Sequence, residues 1–468
     1  MTDERLLMKR RWLARVAGLM LLVFLVIAAL SPVRAAELPN IVFIMVDDMG
    51  YGDLSSYGAT DLRTPRIDSI ASQGVRLTHY YANSTVCSPT RAALMTGRFS
   101  DMAGVPGVIR PFTNDSYGFL DPSIDLMPHY LREKGYATAL IGKWHLGLSA
   151  PNLPNERGFD LYRGHLSGMM DYYTHEHRGV SNLRHDETPI AVDGHATDLF
   201  SDWAVEYLHD RAGSDKPFFL YLAYTAPHSP IQPPDDYVER VRARDPDLEE
   251  KRSKFAAFVE HLDDGVGRVL DALEDNRQLQ DTLVIFVSDN GGAEWFGADN
   301  GPLRGGKQDL FEGGIRVPGM AMWPGRIEPG KTREDILLTM DWLPTFDALF
   351  GLDVAHEMDG RDMSATLLGG DAPANDRTLV WVRREGRDMM GIPHYAVRQG
   401  DFKLVVNHPF EHPLLFNIAE DPGEESPLDM QGNRIARELE DLLQDHIIES
   451  GRIPWRDPAG KDLGLPTP

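Results

Sequence analysis

Cys87 is the only cysteine among 468 residues, so an intrachain disulfide is excluded. Its neighbours in Cys87-Ser88-Pro89-Thr90-Arg91 give it a chemical setting. The fixed φ of Pro89 suits a first helical turn, and Arg91-Ala92-Ala93-Leu94-Met95-Thr96 predicts a short helix stopped by Gly97. Cys87 then sits at a helix N-terminus, where unpaired N–H groups and the dipole favour an anion. Arg91, one turn further on, can lean back toward it. A lone cysteine otherwise reads as an inert buried filler. With a fixed cation and a positive helix end beside it, the stretch suggests a pocket for a tetrahedral oxyanion.

Other chemistry-bearing residues fall at the ends of apolar runs. Asp47-Asp48 closes the run from Asn40, and Asp289-Asn290 closes another ahead of Gly291-Gly292. Three carboxylates and an amide oxygen make a hard-oxygen set, suited to Ca²⁺ or Mg²⁺. Either pair alone reads as a cap or turn; both together, with Cys87, point to a metal site. Gly142-Lys143-Trp144-His145-Leu146-Gly147 supplies an ammonium and an imidazole one residue apart, fit for acid–base and oxyanion roles. Ala226-Pro227-His228-Ser229-Pro230 places a second imidazole in a loop fixed by prolines. Gly301-Pro302-Leu303-Arg304-Gly305-Gly306-Lys307 is glycine-rich with two cations, but it lacks the Walker spacing, which excludes a nucleotide phosphate loop.

These residues need a scaffold that gathers strand ends. Asn40 to Val46 is apolar without alternation, as are Ala137 to Trp144, Phe218 to Thr225, Leu283 to Ser288 and Val317 to Trp323. Such runs suit strands buried on both faces of a largely parallel sheet, and ligands bind beyond the carboxyl ends of such strands. Helices are expected over Ser123 to Lys134, Phe200 to Asp210 and Leu248 to Leu273. The last carries the stripe Phe255, Phe258, Leu262, Val266, Val269, Leu273, interrupted by His261, Asp263 and Asp264, which read as solvated or supporting rather than catalytic. Ser149 to Thr197 reads as a long irregular functional loop. Asp341-Trp342-Leu343-Pro344-Thr345-Phe346 opens a further helix. Beyond Asp371 the pattern shifts to short strands at 379–382, 394–398, 401–406 and 414–417 and a helix at 434–448. The fold class is therefore α/β: a large domain over 36–371 with a mixed, mostly parallel sheet, and a small antiparallel α+β portion over 372–468.

The formal charge of −24 excludes nucleic acid as a partner, so any positive site is local. Hydrophobic content of 42% is that of a globular protein. Residues 1–35 read as a signal peptide: Lys9, Arg10, Arg11 and Arg15 precede the apolar run Val16 to Leu30, and Val33-Arg34-Ala35 offers a cleavage site. Cleavage would leave a periplasmic or secreted protein; an uncleaved segment would be a membrane anchor.

The ordered set Asp47-Asp48-Met49-Gly50, Cys-x-Pro-x-Arg at 87–91, Gly142 to Gly147, Pro227-His228, Asp289-Asn290-Gly291, Lys307 with Glu312-Gly313-Gly314, and Asp421-Pro422-Gly423-Glu424 resembles the type I sulfatases of the alkaline-phosphatase superfamily. The resemblance implies that a maturation enzyme oxidises Cys87 to formylglycine, whose hydrate attacks the sulfur of a sulfate ester. It implies a divalent cation, most often Ca²⁺, held by Asp47, Asp48, Asp289, Asn290 and the matured Cys87. Arg91 and Lys143 would steady the hydrate and its sulfated form. His228 with Lys307 would bind sulfate and protonate the departing alcohol. His145 would take a proton from the second hydroxyl, expelling sulfate. Arg157-Gly158-Phe159-Asp160, Asp171-Tyr172-Tyr173-Thr174-His175 and Asp341 to Thr345 resemble the arylsulfatase B-like, N-acetylgalactosamine-4-sulfatase branch. That implies a sulfated carbohydrate, of galactosamine or galactose type, or an aryl sulfate as substrate. Tyr172, Tyr173, His175 and His177 could pack on a sugar or form a structural aromatic loop.

Three rivals use the same residues. A phosphodiesterase or phosphonate monoester hydrolase of the same superfamily would share the metal aspartates. A carbohydrate-binding protein would leave Cys87 unmodified. A thiol hydrolase would use Cys87 with His145 and leave Arg91 and the carboxylate pairs without a role.

Overall fold

The computed structural model describes residues 8, 38–111, 115–371, 374–386, 389–407 and 410–456; the signal segment expected over 1–35 lies outside the described residues apart from Met8. Asn40–Val46 (β1) is buried at every position after the first, as expected of a strand covered on both faces. With Val75–Leu77 (β2), Ala137–Lys143 (β3), Leu161–His165 (β4), Leu183–His185 (β5), Thr188–Pro189 (β6), Phe218–Ala223 (β7), Thr282–Ser288 (β8), Gly319–Met322 (β9) and Lys331–Arg333 (β10) it forms a ten-stranded sheet of order β10-β2-β9-β8-β1-β7-β3-β4-β5-β6. The five central strands β8, β1, β7, β3 and β4 run parallel. Their carboxyl ends therefore share one edge, and Asp47, Lys143, His145, His228 and Asp289 lie at or just past four of them.

Two expectations change. The run Val317 to Trp323 is a strand only over Gly319–Met322 and pairs antiparallel to β8, so its carboxyl end faces away from that edge; its apolar content could not report direction. The stretch Ser149 to Thr197 is not all loop, because β4, β5 and β6 extend the sheet there. These strands carry Arg, Gly and His instead of an apolar run, and backbone proximity makes the pairing. A Cβ on Gly164 would lie 1.8 Å from the carbonyl oxygen of Gly142, so only glycine permits the approach.

Helices cover the faces. Pro65–Ser72 (α1), Ala196–Asp210 (α3) and Glu250–Asp275 (α4) bury their apolar stripes on the sheet, each large side chain contributing roughly 1.5–3 kcal/mol. Asp263, expected to be solvated or supporting, is buried and caps α1 by accepting the N–H groups of Arg66 and Ile67. His261 is also buried, with Nε2 3.0 Å from Asp198 Oδ1. The helix expected over Ser123 to Lys134 is shorter, Met127–Glu133, with Pro128 in its first turn.

Thr378–Arg384 (β11), Pro393–Gln399 (β12), Phe402–Val406 (β13) and Leu414–Asn417 (β14) form a separate antiparallel sheet. One face, through Val380, Val397, Leu404 and Leu415, packs on the final helix Arg434–Ser450 (α5). The other, through Leu379, Trp381, Ala396 and Val405, packs on Tyr81, Ala93 and Phe311, beside the helix that carries Cys87.

Candidate active site

Cys87 is the first residue of Cys87–Thr96 (α2), and all ten residues of that helix are buried. Extended backbone at Val86 starts it, and Gly97 at φ 66° ends it, with its N–H given to Ala93 O at 2.9 Å. Ser88 Oγ accepts the N–H of Ile109 at 3.1 Å, and His145 Nε2 lies 3.0 Å from the carbonyl oxygen of Ile109. A carbonyl only accepts, so Nε2 carries the hydrogen and Nδ1 is the lone-pair nitrogen; Nδ1 is buried without a partner among the described residues. Two residues at this edge hold the left-handed backbone region unusual for side-chain-bearing residues, Asp48 at φ 66° and His145 at φ 58°. Such conformations concentrate at functional sites. Gly168 makes room for the imidazole, since a Cβ there would lie 2.6 Å from its ring.

All ten residues singled out in the sequence come together. Cys87 Sγ donates to Asp47 Oδ1 at 3.3 Å, and Lys143 Nζ donates to Asp47 Oδ2 at 2.5 Å. Arg91 donates to Asp289 Oδ2 from Nε at 3.0 Å and Nη2 at 2.7 Å. Asp48 Oδ2 accepts from Lys307 Nζ at 2.7 Å and lies 3.6 Å from His228 Nε2. Asp48 Oδ1 accepts from Asn290 Nδ2 at 2.8 Å. The glycine-rich loop delivers Lys307 by backbone packing: Lys307 N–H donates to Gly292 O at 2.9 Å, and Gln308 N–H to Thr85 O at 3.0 Å.

The electrostatics follow from burial and these pairs. Burial and then the Asp47 carboxylate push the Cys87 thiol up, opposite to what a thiolate nucleophile requires. Burial would raise Asp48, but Lys307 and His228 outweigh it and bring it to about 2. Burial and then Asp47 lift Asp289 to about 6. Burial and then Lys307 push His228 down to about 3, and burial with Lys143 and Arg91 pushes His145 well below the ordinary range. Three carboxylates face Arg91, Lys143 and Lys307, so a divalent cation would leave the site positive within an acidic protein. The donor set fits one: Asn290 Oδ1 is buried with no hydrogen-bond partner among the described residues, and ligand atoms of Asp47, Asp48, Cys87 and His228 lie within 4.8 Å of one another.

Above these groups opens a cavity of about 570 Å³ lined in part by Cys87, His145, His228 and Lys307. Of the aromatic and histidine candidates for sugar packing, only His177 lines it. Tyr172 is fully buried and donates to His228 O at 2.9 Å, and His175 lies with Nε2 3.0 Å from Gly194 O; both are structural supports. Tyr173 is exposed. Sequence reasoning missed Ile109, Arg110, Gly168 and Glu385, which also line the cavity. The first three sit in stretches without periodicity. Glu385 lies past the boundary drawn at Asp371, in the small antiparallel portion, where the sequence offered no motif around it.

A family profile described as "Sulfatase" matches residues 39–352. The chain belongs to the sulfatase family. It is a sulfuric ester hydrolase on the alkaline-phosphatase-like fold. A second profile, "N-sulphoglucosamine sulphohydrolase, C-terminal", matches residues 306–450 of this sulfatase. It is 30% identical to N-acetylgalactosamine-6-sulfatase of Canis lupus familiaris, covering 96% of each chain. It is 32% identical to arylsulfatase A of Homo sapiens, covering 86% of this chain and 85% of that one. The crystal structure of Ps i-CgsB in complex with k-i-k-neocarrahexaose superposes with a TM-score of 0.81 at 30% identity, covering 90% of the sulfatase and 95% of that chain.

Proposed function

We propose that this sulfatase removes sulfate from a sulfated carbohydrate of galactosamine or galactose type, with Cys87 matured to formylglycine and Ca²⁺, or Mg²⁺, held by Asp47, Asp48, Asp289, Asn290 and the matured residue. The observation that carries the reading is the position of Cys87: on the cavity wall, at a helix N-terminus, 3.3 Å from Asp47. The relatives named for N-acetylgalactosamine 6-sulfate and the neighbour seen with a neocarrahexaose support the sugar class.

Formylglycine would supply a hydrated aldehyde, with one hydroxyl for attack on sulfur and a second for later release of sulfate. The cation would supply Lewis-acid polarisation of the oxygens it binds. The side chains do the rest. Lys143 holds the Asp47 carboxylate and Arg91 holds Asp289, fixing two oxygen donors. Lys307, also in the cavity, meets a sulfate oxygen with a positive charge in a largely buried site, where such contacts count most. His228 gives its Nδ1–H to Ser229 O at 2.6 Å, which leaves Nε2 as the site of proton uptake. An incoming anion favours protonation there, and the departing alcohol oxygen takes that proton. His145, its Nε2–H held by Ile109 O, accepts a proton at Nδ1 when sulfate is released.

We also assign the protein to the periplasm or the exterior of the cell, supported by the basic and then apolar run in residues 1–35, and we give it a formylglycine-generating partner. The test is to express the chain with and without such a maturation enzyme, weigh the peptide containing Cys87, and assay sulfated galactose and N-acetylgalactosamine. Activity should track the aldehyde form and vanish in Cys87→Ala. Full turnover by protein with an intact thiol would overturn the reading.

A further inference from the structure

The cavity has a wall that the catalytic groups do not explain. Glu385, directly after β11, lines it and is 6% exposed. Its Oε2 accepts from Arg110 Nη2 at 3.1 Å and lies 3.5 Å from Arg383 Nη2. Its Oε1 is buried and has no hydrogen-bond partner among the described residues. Both guanidinium groups are fixed from elsewhere. Arg110 Nη1 donates to the carbonyl oxygen of Asp115 at 3.2 Å and to its Oδ1 at 3.3 Å. Arg383 Nη1 donates at 2.8 Å to the carbonyl oxygen of Gln308, the residue after Lys307. The carboxylate is therefore anchored to the loop that carries Lys307, with one oxygen spare. Asp171, another acid on the cavity, has none to spare: Oδ1 accepts the N–H groups of Tyr173 and Thr174, and Oδ2 accepts from Gln232.

Buried acceptors in folded proteins are paired as a rule, and an exception asks for an explanation. A donor brought by the substrate supplies one. We propose that Glu385 is a specificity-determining residue whose Oε1 accepts a ring hydroxyl of the sulfated sugar. The proposal rests on the carbohydrate reading above. A hydroxyl neighbouring the sulfated carbon offers the donor that this oxygen lacks. A second sulfate or a carboxylate at that place offers no donor and meets a like charge in a site of low dielectric. Arg110 and Arg383 do not make this wall positive, because Asp115 and Glu385 match their two charges. Glu385 thus selects a singly sulfated residue with a free neighbouring hydroxyl. If Glu385 served only to hold Arg110, its loss would affect every substrate alike.

The test compares wild type, Glu385→Gln and Glu385→Ala, all matured, on para-nitrophenyl sulfate, mono-sulfated galactose and N-acetylgalactosamine, and a doubly sulfated N-acetylgalactosamine. The ratio of kcat/KM for the best mono-sulfated sugar to that for the aryl sulfate should fall roughly 10- to 100-fold, mainly through KM. The preference for the mono-sulfated over the doubly sulfated sugar should narrow. Calorimetry in the inactive Cys87→Ala background should show Kd for the mono-sulfated sugar rising by a similar factor. Equal losses on sugar and aryl sulfate, or an unchanged ratio, would overturn the proposal while the carbohydrate reading stands. A wild type that turns over the aryl sulfate and none of the saccharides would overturn that reading, and this proposal with it.

Discussion

Arg91 and Asp289 meet with neither side chain exposed to solvent, Nη2 to Oδ2 at 2.7 Å and Nε to the same oxygen at 3.0 Å. Burial would weaken the guanidinium, yet Tyr221 and Asp289 hold its pKa above the ordinary value. Removing the cation leaves a buried carboxylate beside Asp47. Arg91→Ala should therefore cost about 3–5 kcal/mol, read from denaturant unfolding, and Arg91→Lys less, because the charge stays and the two-nitrogen grip does not. Unchanged stability in Arg91→Ala would contradict the pairing.

The second buried pairing fastens the small sheet to the catalytic part. Lys403 Nζ lies 2.9 Å from Glu312 Oε1 and 3.0 Å from Glu424 Oε1, all three side chains without exposure. Burial would raise Glu312, but Lys403 and Arg398 bring it to about 2. Lys403→Met leaves two carboxylates facing each other and should cost about 3–5 kcal/mol. Adding Glu424→Gln should recover part of that loss, since the like-charge contact is gone. A double variant no better than the single one would place the loss elsewhere.

Metal removal should be visible in stability as well as in turnover. Asp47, Asp48 and Asp289 are fully or almost fully buried, and an ion bound only by the folded chain adds about 2.7 kcal/mol at a hundredfold excess over Kd. Thermal unfolding of chelated protein should rise with added Ca²⁺, and activity should return with it. A melting temperature indifferent to Ca²⁺ and Mg²⁺ after verified chelation would remove the metal from the site.

The carboxyl-end groups were legible because four buried strands announce themselves as apolar runs and their polar ends follow at once, as in Val46-Asp47-Asp48 and Ser288-Asp289-Asn290. The strands of the 149–197 stretch were not, because β4 owes its place to backbone approach at Gly164. Glu385 was hidden for a different reason. The strand before it reads as part of a small antiparallel sheet, and the packing of Trp381 and Leu379 on Ala93 and Tyr81 brings that sheet's edge to the cavity. Directions were illegible too: the antiparallel run at Gly319–Met322 is as apolar as the central parallel strands.

The last prediction concerns pH. His446, on α5, lies with Nε2 2.8 Å from Asp101 Oδ2, both side chains nearly buried. Burial alone would lower the imidazolium; the hydrogen bond to Asp101 and its charge outweigh burial and raise it above the ordinary 6.5. The folded protein then holds this proton more tightly than the unfolded chain. The pair's stabilisation is complete below pH 6.5 and is lost as pH climbs through the higher folded value. It is worth roughly 1.4 kcal/mol for each pKa unit of separation. The stability difference between wild type and His446→Asn should therefore be largest near about pH 6 and shrink toward about pH 9, measured by urea unfolding. Asp101 precedes the segment that leads to Ile109 and Arg110, so the same loss should loosen the cavity wall. A difference that grows with pH would mean that Asp101 does not hold the charged form of His446.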